Sequence, residues 1–222
     1  MISHLFKDRN AAGQALVREL KERHLPNDAL VLGLPRGGIP VAWEIARAFD
    51  LELDALNLRK LGVPTHPEVA MGAIAEDGTR YLDSELVFRL GITPEQIEKV
   101  EEMERRVLAS RIDRFRNVRP AARIGGRTVI VVDDGIATGA TMELAARVLR
   151  RRGAEKIIVA VPVGPEGTAA RFSNIADDCI CLLEPKVFNS VGLWYQDFHQ
   201  VPEDRVIELL QDALDHHRSR SS

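Results

Sequence analysis

The sequence predicts an α/β protein with a parallel sheet covered on both faces. Strand-length apolar runs alternate with helical periodicity in two separate stretches of the chain, and those runs are continuously apolar rather than alternating. The composition agrees: 222 residues, 45% hydrophobic and 28% charged, are enough for one domain with a sizeable core. The expectation is a single domain over 1–222, with a core at about 29–183 and terminal helices packed on it.

The first β-α-β unit is Ala29–Gly33, a helical pattern from Ile39 to Phe49, and an apolar run from Leu53 to Leu58. The second starts with Thr128–Val132 and continues through a helix from about Ala140 to Arg152, a strand Lys156–Pro162, a helix near Gly167–Ile175 and a strand Asp178–Leu183. Between the units, residues 61–82 carry Gly62, Pro64, Pro67, Gly72 and Gly78 around the apolar run Val69–Ala75, which reads as a loop leading into an antiparallel pair. Thr93-Pro94-Glu95-Gln96 then has the form of a capping box and opens a helical insertion reaching about Asn117. Its apolar stripe is Ile97, Val100, Met103, Val107, Ile112 and Phe115, the mark of a packing or interface helix. Further helices are expected at about Arg9–Arg23 and Glu203–His217.

A net charge of −3 with dispersed basic residues offers nothing to nucleic acid or an anionic membrane. The segment from Met1 to Asp8 lacks a basic stretch followed by an apolar run, and no stretch has the ~18 apolar residues of a membrane span, so a cytoplasmic protein is expected. Cys179 and Cys181 lie two apart in a strand, on the same face and too close for an unstrained disulfide, and are read as core thiols. The six histidines show no metal spacing, and structural zinc is not expected.

The most informative string is Val129-Ile130-Val131-Val132-Asp133-Asp134-Gly135-Ile136-Ala137-Thr138-Gly139-Ala140-Thr141. A buried strand ends in two acids, followed by a short turn into a helix, and ligands bind at such strand ends. Backbone N–H groups at a helix N-terminus, glycines that permit close approach and two threonine hydroxyls suit a phosphate dianion. Two carboxylates beside a phosphate need something between them, either vicinal sugar hydroxyls or hydrated magnesium. The Walker lysine and the dinucleotide glycine pattern are both missing.

This string resembles the signature of the type I phosphoribosyltransferases, which bind 5-phosphoribosyl-1-pyrophosphate (PRPP). The resemblance implies a three-layer sheet with a flexible loop, the helical insertion, and a C-terminal hood at about 184–200. It places Asp133 and Asp134 on the ribose, with magnesium held through water or the ribose hydroxyls, and Ala137, Thr138, Gly139, Ala140 and Thr141 around the 5′-phosphate. Arg36-Gly37-Gly38, after the first strand, matches the family's pyrophosphate loop, which commonly contains a non-proline cis peptide. Lys60, with Arg59 behind it, matches the cation pair that opens the flexible loop and neutralises the leaving pyrophosphate. In the hood, Phe188, Val191 and Trp194 are expected to contact the acceptor. Ala137 stands where hypoxanthine-guanine enzymes carry an acid, which counts against 6-oxopurines and leaves the acceptor open between a nucleobase and another amine.

The resemblance thus implies transfer of the phosphoribosyl group to a nitrogen, with a homodimer as the family habit. A regulatory module that senses PRPP or a nucleotide is the competing reading, and Arg36 and Lys60 favour the enzyme because sensing ribose 5-phosphate alone would not need them. A receiver-like phosphoacceptor domain also has acids at strand ends but has no use for Thr138-Gly139-Ala140-Thr141.

Overall fold

The computed structural model describes residues 6–220, apart from the side chains at 110, 111, 218 and 220. The expectations resting on residues 1–5 and 221–222, part of the leader reading among them, lie outside the described residues.

Five strands form the parallel sheet in the order β2-β1-β6-β7-β8: β1 Leu30–Gly33, β2 Glu52–Ala55, β6 Thr128–Val132, β7 Lys156–Val163 and β8 Asp178–Leu183. Strand residues alternate between two cores, which accounts for continuously apolar strands. Val31, Ile130, Ile158 and Ile180 face the helices α1 (Arg9–Leu20), α2 (Gly38–Phe49) and α7 (Glu203–Arg220). Leu30, Leu32, Val129, Val131 and Val159 face α5 (Ala140–Arg151) and α6 (Thr168–Phe172). Cys179 and Cys181 pack on this second core as free thiols, and burial pushes both up to about 12, aided by the nearby Glu184 carboxylate.

The chain adds β2 on one side of β1 and then β6 on the other. The loops after β1 and β6 therefore meet at the point where strand order reverses, a natural ligand crevice.

The region between the two units differs from expectation in its details. Leu53–Leu58 is not one strand, because β2 ends at Ala55 and β3 (Leu58–Val63) starts a separate sheet. That sheet is antiparallel, with β3, β4 (His66–Ala75) and β5 (Arg80–Leu82) in order. Most of the segment read as loop is thus a hairpin, turning at Pro64 and Thr65. Its glycines serve close strand approach rather than looping. A Cβ on Gly62 would lie 2.6 Å from the Pro67 carbonyl oxygen, and one on Gly72 2.2 Å from that of Tyr81.

The insertion holds α3 (Ser84–Arg89), which the sequence pattern did not suggest, and α4 (Pro94–Arg116). Thr93 and Gln96 form the capping box: the Thr93 N–H donates to Gln96 Oε1 at 2.9 Å, and the Gln96 N–H donates to Thr93 Oγ1. The stripe of α4 divides along its length. Ile97 joins a small core with Leu61, Val63, Met71 and Ile74, and Phe115 reaches the main core, whereas Met103 stays 57% exposed. Beyond Phe115, Arg116 donates to Asp54 and Glu76, and Arg119 donates to Glu52 and the Leu53 carbonyl, fastening the end of the insertion to β2.

Candidate active site

At the end of β6, the Asp134 N–H donates to Asp133 Oδ1 at 2.9 Å, so the chain folds back over its first acid. The turn that follows is anchored by the Ile136 N–H, which donates to the Val163 carbonyl at 2.8 Å. Gly139 precedes α5 with φ at 78°, a left-handed conformation that disfavours a side chain. Ala137, Thr138 and Thr141 are exposed around this helix start, open to an anion. The Thr138 hydroxyl accepts from the Ala140 N–H, and Arg171 of α6 donates to the Thr138 carbonyl.

The turn after β1 packs directly on the acid pair. Its Pro35–Arg36 peptide is cis, in the loop where the resemblance implied such a bond. A Cβ on Gly37 would lie 2.0 Å from Asp134 Oδ2, and one on Gly38 2.5 Å from the Val132 carbonyl and 3.0 Å from Asp133 Cα. Gly37 leaves room for the Asp134 carboxylate against the turn, and Gly38 for the backbone at the end of β6.

Burial raises Asp133 well above the usual carboxylate range, and the adjacent Asp134 charge adds to the rise. Asp134 is raised by burial too, but Arg9 opposes it: Arg9 Nε donates to Asp134 Oδ2 at 2.8 Å. From the hood, the Tyr195 hydroxyl donates to the Asp134 carbonyl at 2.6 Å.

Two cavities flank the Pro35–Gly37 turn. One, of about 480 Å³, brings together Pro35, Arg59, Lys60 and Thr141, with Val100 and Met103 of α4 as an apolar wall. Lys60 Nζ donates to the Glu68 carbonyl at 2.8 Å, and Arg59 is tied to Glu104 of α4 at 2.7 Å. The other, of about 390 Å³, is lined by Arg9, Arg36, Gly37, Asp134 and the hood residues Phe198, Gln200 and Val201.

Phe188, Val191 and Trp194, the residues expected to contact the acceptor, are partly buried against a cluster of Ala12, Val163 and Tyr195, and Val191 covers Gly135. They line neither of these two cavities. Arg9, Tyr195 and Arg171 carried no signal in the sequence, since each meets the signature only through folding. Among the described residues, no group of three or more His, Cys, Asp or Glu side chains is placed to hold a metal, and no helix is long and apolar enough to cross a membrane.

The class defined by this architecture is a parallel α/β protein in which a glycine turn, an acid pair and a helix N-terminus converge at the carboxyl ends of the neighbouring strands β1 and β6. The model of the phosphoribosyl transferase domain matches residues 7–196, and the chain belongs to that family. A Mycobacterium tuberculosis protein with a provisional phosphoribosyl transferase name is 44% identical over 210 residues, which are 94% of this chain and 47% of that protein. The chain therefore spans about half the length of the curated relative it matches. A crystal structure from Thermus thermophilus is 39% identical with a TM-score of 0.87, covering 94% of this chain and 98% of that one. A ribose-phosphate pyrophosphokinase of Pyrococcus furiosus matches over 57 residues at 44% identity, 25% of this chain and 20% of its own length.

Proposed function

We propose that this protein moves the 5-phosphoribosyl group of PRPP to a nitrogen acceptor, a nucleobase being the first candidate, and releases pyrophosphate. One observation carries the reading: the Arg36-Gly37-Gly38 turn packs on the Asp133-Asp134 pair, with no room for a Cβ between Gly37 and the Asp134 carboxylate. A pyrophosphate on the turn and a ribose on the acids would then be neighbours, as they are in PRPP.

In this reading Ala137–Thr141 seat the 5′-phosphate at the start of α5, and the two acids accept hydrogen bonds from the ribose diol. Arg36 and Lys60 neutralise the departing pyrophosphate, with Arg59 held behind Lys60 by Glu104. The acceptor nitrogen bonds to C1 as the C1–oxygen bond to pyrophosphate breaks. Positive charge grows on the ribose meanwhile, and no covalent protein intermediate is needed.

Asp133 and Asp134 fit magnesium. They are hard oxygen donors, and the like charge and burial that raise Asp133 would be relieved by a dication. Two carboxylates fall short of an octahedral set, so the ion would share them with phosphate oxygens, sugar hydroxyls and water. When bound it would stabilise charge on the leaving group. A cytoplasmic homodimer completes the proposal.

The test is pyrophosphate release from PRPP and magnesium with each common nucleobase in turn. Asp134→Asn and Lys60→Ala are expected to slow release by ~100-fold or more, the usual cost of one preorganised charge contact. A loss below about threefold in both would remove these residues from the site. Tight PRPP binding without release across a wide acceptor panel would turn the reading into that of a sensor.

A further inference from the structure

Arg9 reaches Asp134 across 125 positions of sequence and makes three contacts at once. Nε donates to Asp134 Oδ2 at 2.8 Å, Nη1 donates to the His199 carbonyl at 2.9 Å, and the guanidinium carbon lies 4.0 Å from the centre of the Phe198 ring. Phe198 packs on Tyr195 at 4.9 Å between centroids, and Tyr195 holds the Asp134 carbonyl. Asp134 is therefore gripped twice, at its side chain from the first helix and at its backbone from the hood.

An exposed ion pair would count for little, but the two side chains here are only 11% and 15% exposed. A guanidinium with three fixed contacts loses little freedom per bond and sets direction as well as charge. A plain staple of α1 to the hood would account for the His199 and Phe198 contacts. It would not account for spending Nε on the one acid that lines the cavity shared with Arg36 and Gly37.

We propose that Arg9 is a positioning residue of the sugar site: by taking Oδ2 of Asp134 it fixes the carboxylate so that its other oxygen is presented to a ribose hydroxyl. The inference rests on the PRPP reading above. It makes sugar recognition depend on α1 and the hood, whereas phosphate recognition stays local to the turn before α5.

Calorimetric titration of the full chain, with magnesium present, separates the two. The probes are ribose 5-phosphate, 2-deoxyribose 5-phosphate and inorganic phosphate. The wild type is expected to prefer the ribose compound by about tenfold, the worth of one hydrogen bond to a charged group. In Arg9→Gln that preference is expected to fall below about threefold, with affinity for inorganic phosphate within about twofold of wild type. Arg9→Lys, which keeps the charge but cannot hold three contacts at once, is expected to fall between the wild type and Arg9→Gln. Arg23→Gln breaks another ion pair from this end of the chain, to Asp178 at 2.9 Å, and should leave the preference intact. An undiminished preference in Arg9→Gln overturns the proposal, as does an equal loss of all three ligands in Arg9→Gln and Arg9→Lys. A wild type that binds ribose 5-phosphate while Arg9→Gln keeps its preference removes this inference alone, whereas a wild type that binds none of the probes removes the PRPP reading with it.

Discussion

At the scale of single residues, the candidate site depends on contacts so close that one added methyl group changes them. Gly37 is the sharpest case, because a Cβ there would fall 2.0 Å from Asp134 Oδ2, and either the turn or the acid would have to move. Gly37→Ala is expected to destabilise the fold by about 1–3 kcal/mol through overpacking and, by displacing the Asp134 carboxylate, to weaken ribose 5-phosphate binding, measurable by calorimetry. Unchanged affinity would mean that turn and acid pair do not need their contact. The acid pair and the glycine-threonine turn before α5 were legible because they are contiguous. Arg9 was not, since an arginine opening a helix looks like any solvated charge until the fold carries it to Asp134.

Among the elements, the insertion does the least expected work. The sequence showed α4 and its capping box, yet not that Phe115 would be fully buried in the main core while Met103 lay open beside the cavity of Lys60. Phe115→Ala is expected to destabilise the protein by about 3–5 kcal/mol in urea unfolding, the cost of deleting a buried aromatic ring. A change below about 1 kcal/mol would show that α4 contributes little to the core. The antiparallel pair expected within 61–82 is present, and only its start differs: strand replaces the loop expected before Val69, because glycine and proline usually mark loops and close strand approach uses the same residues. On β8, Cys179 and Cys181 rise from about 9 to about 12 on folding. The folded chain thus holds protons that the unfolded chain releases, so this contribution is complete below pH 9 and is lost as pH climbs toward 12. Replacing both with alanine should flatten the fall in stability over that range, as read from urea midpoints against pH.

For the molecule as a whole, the two cores lie on opposite faces of one sheet, and Arg116 of α4 bridges Asp54 of that sheet to Glu76 beside the antiparallel one. Unfolding is expected in a single step, with tryptophan fluorescence from Trp43 of α2 and Trp194 of the hood coinciding with the loss of far-ultraviolet dichroism. Separate transitions would divide the chain into independent units. Magnesium with PRPP at about a hundred times its dissociation constant should add about 2.7 kcal/mol to stability, seen as a rise in melting temperature. No rise at any concentration would count against the site itself.

By itself the sequence determined the fold class, the order of the parallel strands' helices and the acid pair with the turn that follows it, because apolar periodicity and contiguous motifs are local and survive without coordinates. Only the tertiary structure decided which turn lies against which acid, that Arg9 and Tyr195 hold Asp134 from both ends of the chain, and that Phe188, Val191 and Trp194 pack together while Phe198, Gln200 and Val201 share a cavity with Asp134. The contact between turn and acids comes from the reversal of strand order between β1 and β6, and the rest from packing of the chain's two ends over that crevice, neither of which any periodicity within a segment records.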